Sequence, residues 1–256
     1  MNSNRRNAVI PGVLFMVATG AALAAATVEP VLSGTDYLTK VAANASQVAG
    51  GALFFLIAAF TSVGIAISLY PVLKTWNAGL AIGSVVFRTM EAVMYIAAVV
   101  SLLSLVTLSQ HFAHAGAADL TSFQAMGDSL RSMREHATLA AVFAFSLGAF
   151  MYYYLFFQSR LIPRWLSGWG IAASVLMLAA CLLALFSDRY VTGYALLILP
   201  IAVQEMVLAV WLIVKGFNPS AIASGSAKTE IDGRAAAWSP PSRRRPGAGR
   251  DLGDAA

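Results

Sequence analysis

Six stretches of this chain stay apolar for long enough to cross a bilayer core, which takes about 20 helical residues. They lie near 8–27, 49–73, 79–105, 137–158, 166–187 and 194–215. In hydrocarbon every backbone N–H and C=O has to find a partner within the protein, so runs of this length fold as helices and pack on one another. The expected fold class is therefore all-α: a polytopic six-helix transmembrane bundle over 1–217, followed by a basic tail over 218–256. Composition agrees. Only 11% of the residues are charged, where soluble domains carry about a quarter.

The first stretch follows Asn4-Arg5-Arg6-Asn7 and ends in Ala-rich sequence, as a cleaved signal would. Its apolar part is longer than the usual signal core, so a retained helix is expected. Counting Lys and Arg by side sets the orientation. With the N-terminus inside, the inner segments hold Arg5, Arg6, Lys74, Arg160, Arg164 and Lys215 as well as the tail, and the outer loops hold Lys40, Arg131, Arg134 and Arg189. That bias points to cytoplasmic termini at both ends. Trp76, Trp165 and Trp169 gather at the same inner boundary, where amphipathic rings settle.

The formal net charge of +5 is spread over helix ends and tail, which excludes a folded basic face for nucleic acid. Cys181 stands alone inside an apolar run, so no intramolecular disulfide forms. Charge here reports orientation, with the lipid bilayer as the expected partner.

Two full charges interrupt the third stretch, at Phe87-Arg88-Thr89-Met90-Glu91-Ala92. Spacing of i, i+3 puts Arg88 and Glu91 on one helix face within pairing reach. Ser84 and Tyr95 extend that face a turn each way. Charge at such depth marks a packed polar site or a functional one. The sixth stretch carries Gln204-Glu205, with Pro200 a turn earlier; Pro200 frees a backbone carbonyl and is expected to kink the helix. At 1.5 Å per residue, Arg88 and Glu205 both lie roughly 15 Å from the inner boundary. Opposite charges at one depth are natural partners, so the third and sixth helices are expected to touch there, with Arg88 between Glu91 and Glu205. Three helices precede and three follow the middle of the chain, each half ending in a charged helix, a hint of the inverted repeat of some transporters.

The longest outer connection, 109–136, holds His111, His114 and His136 with Asp119, Asp128, Arg131, Arg134 and Glu135. No third ligand joins His111 and His114 by spacing, so no metal or cofactor is expected, and the segment reads as a solvated outer loop with an amphipathic turn around Phe123 to Met133. Residues 219–256 are rich in Ser, Ala, Gly, Pro and Arg, too polar to bury a core, and read as disordered.

The run Leu69-Tyr70-Pro71-Val72-Leu73-Lys74 and Phe87-Arg88-Thr89-Met90-Glu91-Ala92 resembles a bacterial membrane family filed as domain of unknown function 4386. So do Ser159-Arg160-Leu161-Ile162-Pro163-Arg164 running into Leu166 and Gly168, and Gln204-Glu205 through Leu208, Trp211, Leu212, Lys215 and Gly216. The resemblance covers about 8–217; the outer loops show no matching motif, and the Arg-Pro-rich tail departs from the usual short end. It implies a six-helix bundle in a bacterial inner membrane, with Arg88, Glu91 and Glu205 as hallmark positions and no established activity.

Several classes remain to be weighed. No Gly-x-Ser-x-Gly, His-Glu-x-x-His or phosphate loop is present, so an enzyme is not expected. The preferred reading is a structural or partner-binding membrane protein, clamped by the Arg88 fork with small residues (Gly12, Gly20, Gly50, Gly51, Gly64) allowing close helix approach. The alternative is a proton-linked small-molecule carrier or ligand-binding protein using the same cluster, because two carboxylates beside one guanidinium leave room for a proton. Tyr152-Tyr153-Tyr154 would line such a pocket, although an inner interfacial belt is the expectation, with Arg160 and Arg164 following. A cavity reaching Arg88 and Glu205 separates the two readings.

Overall fold

The computed structural model describes residues 3–114, 116, 119–187, 189–225 and 227. Its long helices are α1 (Ser3–Ala25), α4 (Ala45–Leu73), α5 (Ala78–Phe112), α6 (Leu120–Ser159), α7 (Arg164–Leu185) and α8 (Ala195–Val214). Two short helices, α2 (Glu29–Leu32) and α3 (Tyr37–Ala43), fill the connection between α1 and α4. Among the described residues six helical segments are long and apolar enough to cross a membrane, which fits an integral membrane protein.

Local sequence explains several helix ends. The Asn77 side chain caps α5 by accepting from the Leu80 N–H at 2.9 Å, satisfying a donor that a helix start leaves orphaned. Arg160 closes α6 in the left-handed region, φ 56°, and Pro163, extended, restarts the chain into α7. Gly216, φ 76°, takes the left-handed position just past α8, where a Cβ is unwelcome. Pro71 and Pro200 lie within helices that continue through them. Pro200 does not interrupt α8.

The long helices form a closed ring in chain order. α1 packs on α4, α4 on α5, α5 on α6, α6 on α7, α7 on α8, and α8 returns to α1. Arg5 fastens the closure, donating to the carbonyls of Val214 at 3.0 Å and Ile213 at 2.7 Å. Both ends of the six-helix unit therefore lie at one end of the ring, the terminal end. The ring order also removes the inverted repeat: the two halves run the same way round but start at opposite ends, so no rotation superimposes them.

One apolar core packs the terminal half around Phe15, Leu69, Tyr152, Tyr153, Phe156 and Leu212 and runs on along α6, α7 and α8 to Ala184 and Val191. It continues past α8 through buried Phe217 into a helical stretch over 219–225, where Ala221 is buried. The disorder expected from 219 thus does not hold for this stretch, because Phe217, Ala221 and Ile222 supply an apolar edge; residues 228–256 lie outside the described residues. A second core caps the far end, joining Val28, Leu32, Tyr37, Leu38 and Val41 to α4 and α5. In that cap Lys40 sits 2.7 Å from Asp36 and holds its carboxyl below the usual range. Burial, together with a hydrogen bond involving Asp128, pushes the Tyr37 phenol up.

The largest correction concerns 109–136. Far from a solvated loop, α6 begins at Leu120 and α5 runs on to Phe112. Phe123, Gly127, Leu130, Arg134 and Thr138 recur at helical spacing, so one stripe extends the membrane helix beyond its apolar run. Gly127 lets α6 lie against the Tyr37 ring of the cap.

Among the small residues, Gly12, Gly51 and Gly64 make close approaches, to Ile213 and Ala209, to Val28 and to Leu14. Gly20 and Gly50 do not: a Cβ on either meets nothing within 4 Å among the described residues. A Cβ on Gly12 would lie 2.8 Å from Ile213 Cγ1 and 3.0 Å from the Ala209 carbonyl oxygen, a backbone atom that cannot step aside. Gly12→Ala is expected to lower stability by about 1–3 kcal/mol through overpacking, and Gly20→Ala to leave it unchanged or slightly raised. Thermal unfolding in detergent reads the difference; equal behaviour of the two variants would contradict the α1–α8 seam.

Candidate functional site

Arg88 and Glu91 leave α5 toward the lumen of the ring, and Glu205 leaves α8 from the opposite side. Arg88 Nη1 donates to Glu91 Oε2 at 3.0 Å, and Arg88 Nη2 stands 3.7 Å from Glu205 Oε1. The side chains are nearly inaccessible, 1% exposed for Arg88 and 9% for Glu205. α5 and α8 do not pack as neighbours; two long side chains bridge them across the lumen. Arg88 fits because Gly148 on α6 has no side chain: a Cβ there would lie 3.3 Å from Arg88 Cγ. The guanidinium lies over the Phe145 ring at 4.3 Å and the Tyr152 ring at 5.7 Å, a favourable seat for a cation. Its Nε is buried and has no hydrogen-bond partner among the described residues.

The two carboxylates are held differently. Glu91 accepts from Arg88 and from Ser62 Oγ of α4 at 2.6 Å, short charge-assisted bonds. Glu205 accepts from Thr19 Oγ1 of α1 at 3.3 Å and from the Tyr152 hydroxyl at 3.4 Å. All of these contacts are long. Glu91 is anchored, and Glu205 is the carboxylate free to take another partner.

A cavity of about 330 Å³ stands over this cluster, lined by residues from all six long helices. Apolar walls come from Ala18, Ala58, Val142, Met177, Ile198 and Ile201. Phe55 and Tyr95 add rings whose centroids are 5.9 Å apart. Exposed lining residues gather at Ala22 and Leu23 of α1, at Ala26 just past it, and at Thr192 before α8. These mark the mouth, in the far half between α1 and α8.

At the opposite limit of the cavity lies a second charged cluster. Arg134 forks onto Glu29, with its Nη2 on Oε1 and its Nη1 3.4 Å from Oε2, and Nη1 also reaches Glu135. Arg134 is 3% exposed and Glu135 6%. Sequence reading left both in a solvated loop and did not single out Glu29. The usable signal was the helical stripe through Leu130, Arg134, Thr138 and Phe145, which carries Arg134 onto the lumen face. From Phe145 to Arg134 is 11 residues of α6, so the two clusters are separated by about 16 Å along the axis.

Of the residues singled out by sequence, Arg88, Glu91, Glu205 and Tyr95 line the cavity. Ser84 and Gln204 do not. The Ser84 hydroxyl turns back to the Ala81 carbonyl at 2.8 Å, as short hydroxyls in helices do. Gln204 donates to the Leu166 carbonyl at 3.1 Å and accepts from the Tyr153 hydroxyl, tying α8 to α7 and α6. Tyr152 and Tyr153 are fully buried and only Tyr154 is exposed, so the tyrosines form no interfacial belt; two of the rings lie on the inward face of α6.

The unequal anchoring has a measurable consequence. Glu91→Gln removes the charge from the oxygen that accepts both short bonds, where bonds to a charged group are worth about 1.5–3 kcal/mol each, and Glu205→Gln removes it from long contacts. Thermal unfolding should show a clearly larger loss for Glu91→Gln. A larger loss for Glu205→Gln would contradict this assignment.

No curated protein and no solved structure matches this chain. The model of a family described as domain of unknown function (DUF4386) matches residues 10–216, and the chain belongs to that family.

Proposed function

We propose that this member of the domain of unknown function 4386 family is a ligand-binding membrane protein, in a bacterial inner membrane, whose ligand occupies the cavity between the two Arg–Glu clusters. One observation carries this reading: an open cavity of about 330 Å³ reaches Arg88 and Glu205. A purely structural clamp would be sealed by apolar packing, as the terminal half is around Phe15, Tyr152, Tyr153 and Phe156. The volume falls at the lower end of the about 300–1,000 Å³ range of small-molecule sites. Apolar walls with a few convergent polar groups are the usual composition of such a site.

The role is binding or carriage rather than catalysis. Glu91, Ser62 and Arg88 hold the floor, and Glu205 meets the ligand. With one guanidinium and two carboxylates, the cluster reaches neutrality on gaining one positive charge, from a proton or from a ligand, which is the property a proton-linked carrier needs. The basic bias of the terminal end supports cytoplasmic termini, and the mouth then faces the outer half of the membrane.

Cysteine accessibility tests this. In a Cys181→Ala background, Thr138→Cys and Ala58→Cys on the cavity wall should react with a small hydrophilic methanethiosulfonate applied from outside. Phe15→Cys in the packed core should not. Unreactive wall positions in folded protein would overturn the reading.

A further inference from the structure

The transmembrane unit contains four glutamates, Glu29, Glu91, Glu135 and Glu205, and all four line the same cavity. Arg88 and Arg134 are the two guanidiniums on the same wall. The floor thus holds one positive and two negative groups, a carboxylate in excess; at the far cluster Arg131 and His136 also bear on Glu135.

Charge in an apolar surround needs a partner. Arg88 is committed to Glu91 at 3.0 Å and lies only within long ion-pair range of Glu205. Adding one cation beside Glu205 brings the floor to two positive and two negative charges. Adding an anion instead brings it to one positive and three negative. The wall favours the same sign: Phe55, Tyr95 and Phe145 are among the lining residues, and cations sit well on aromatic rings. Guanidiniums already use two of these rings, Arg88 over Phe145 and Arg134 over Phe55 at 5.7 Å.

We infer that the ligand is a small hydrophobic ammonium, its cationic head on the Glu205 carboxylate and its apolar body along the Ala58, Val142 and Ile201 wall. This assignment rests on the binding reading above and names its substrate class. The mouth suits such a molecule. Ala22 and Leu23 of α1 and Ile198 and Ala202 of α8 line the cavity on that side, so the body passes small and apolar side chains on its way in. Glu29, 37% exposed at the side chain, stands on the far-end rim with a carboxylate of the same sign.

The test compares three probes with one body: 4-phenylbutylammonium, 4-phenylbutanol and 4-phenylbutanoate. Each is titrated into the full chain in a non-ionic detergent and followed by thermal shift and calorimetry. The ammonium should bind at least tenfold more tightly than the alcohol or the carboxylate. Glu205→Gln should weaken the ammonium at least tenfold and leave the alcohol unchanged. Equal binding of ammonium and alcohol would overturn the role of Glu205. Tighter binding of the carboxylate would overturn the cation assignment in favour of an anion on Arg88, whose Nε lacks an acceptor among the described residues, and would leave the cavity reading standing. Binding of none of the three, with the Thr138→Cys variant also unreactive, would overturn both. The wild-type series decides the head group by itself, so the test survives a Glu205→Gln chain that does not fold. Ala58→Phe, which fills the wall, should abolish whichever binding is seen.

Discussion

A charged side chain near the middle of a bilayer costs about 2.5–3.5 kcal/mol on insertion scales, and six charged groups line one cavity here. They are tolerable only if they face one another away from lipid. That constraint accounts for much of the architecture. A ring of six helices in chain order gives every helix one face toward a common lumen, and the charges collect there. Gly148 gives Arg88 its room, Ser62 and Thr19 supply hydroxyls, and Tyr152 closes the floor.

The two readings of the cluster describe different residues within it. Glu91, held at 3.0 and 2.6 Å, braces α5 against α4. Glu205 reaches across the lumen with contacts of 3.3 Å and longer, so α8 is joined to the floor by the weaker half of the triad. A buried ion pair of this kind is weak evidence for net stability, since desolvation offsets attraction, but losing one partner is costly. The floor is then both a brace and a site with one open valence. The second cluster repeats the pattern, with Arg134 forked onto Glu29 and Glu135 beside it.

How far the sequence disclosed this depended on which periodicity carried the information. Apolar runs located six helices, because hydrocarbon demands length. Spacing of i, i+3 located Arg88–Glu91, and equal depth pointed to Glu205. Depth fixes height, not azimuth, so a neighbouring contact between the third and sixth helices was expected where they in fact stand across the lumen. Arg134 and Glu135 were lost because a hydropathy window ends at the first charges, although the helical stripe of α6 continues through them. Glu29 sits in a connection whose folding onto the far end depends on Tyr37, Leu38 and Gly127, contacts that no local pattern announces. Ser84 and Gln204 share a helix with the cluster, yet their hydrogen bonds go elsewhere.

The pairing of Arg88 with Glu205 across the ring is the central claim, and a charge-swap cycle tests it most directly. Arg88→Glu and Glu205→Arg are made singly and together, and folded protein is scored in detergent. Each single swap buries like charges, and breaking such a pair costs about 3–5 kcal/mol, so the account predicts loss of folded protein in both. The double swap restores an opposite pair between α5 and α8 but forfeits the Arg88–Glu91 bond, and should recover part of it. A double variant no better than the worse single, or single variants as stable as the parent, would contradict the account.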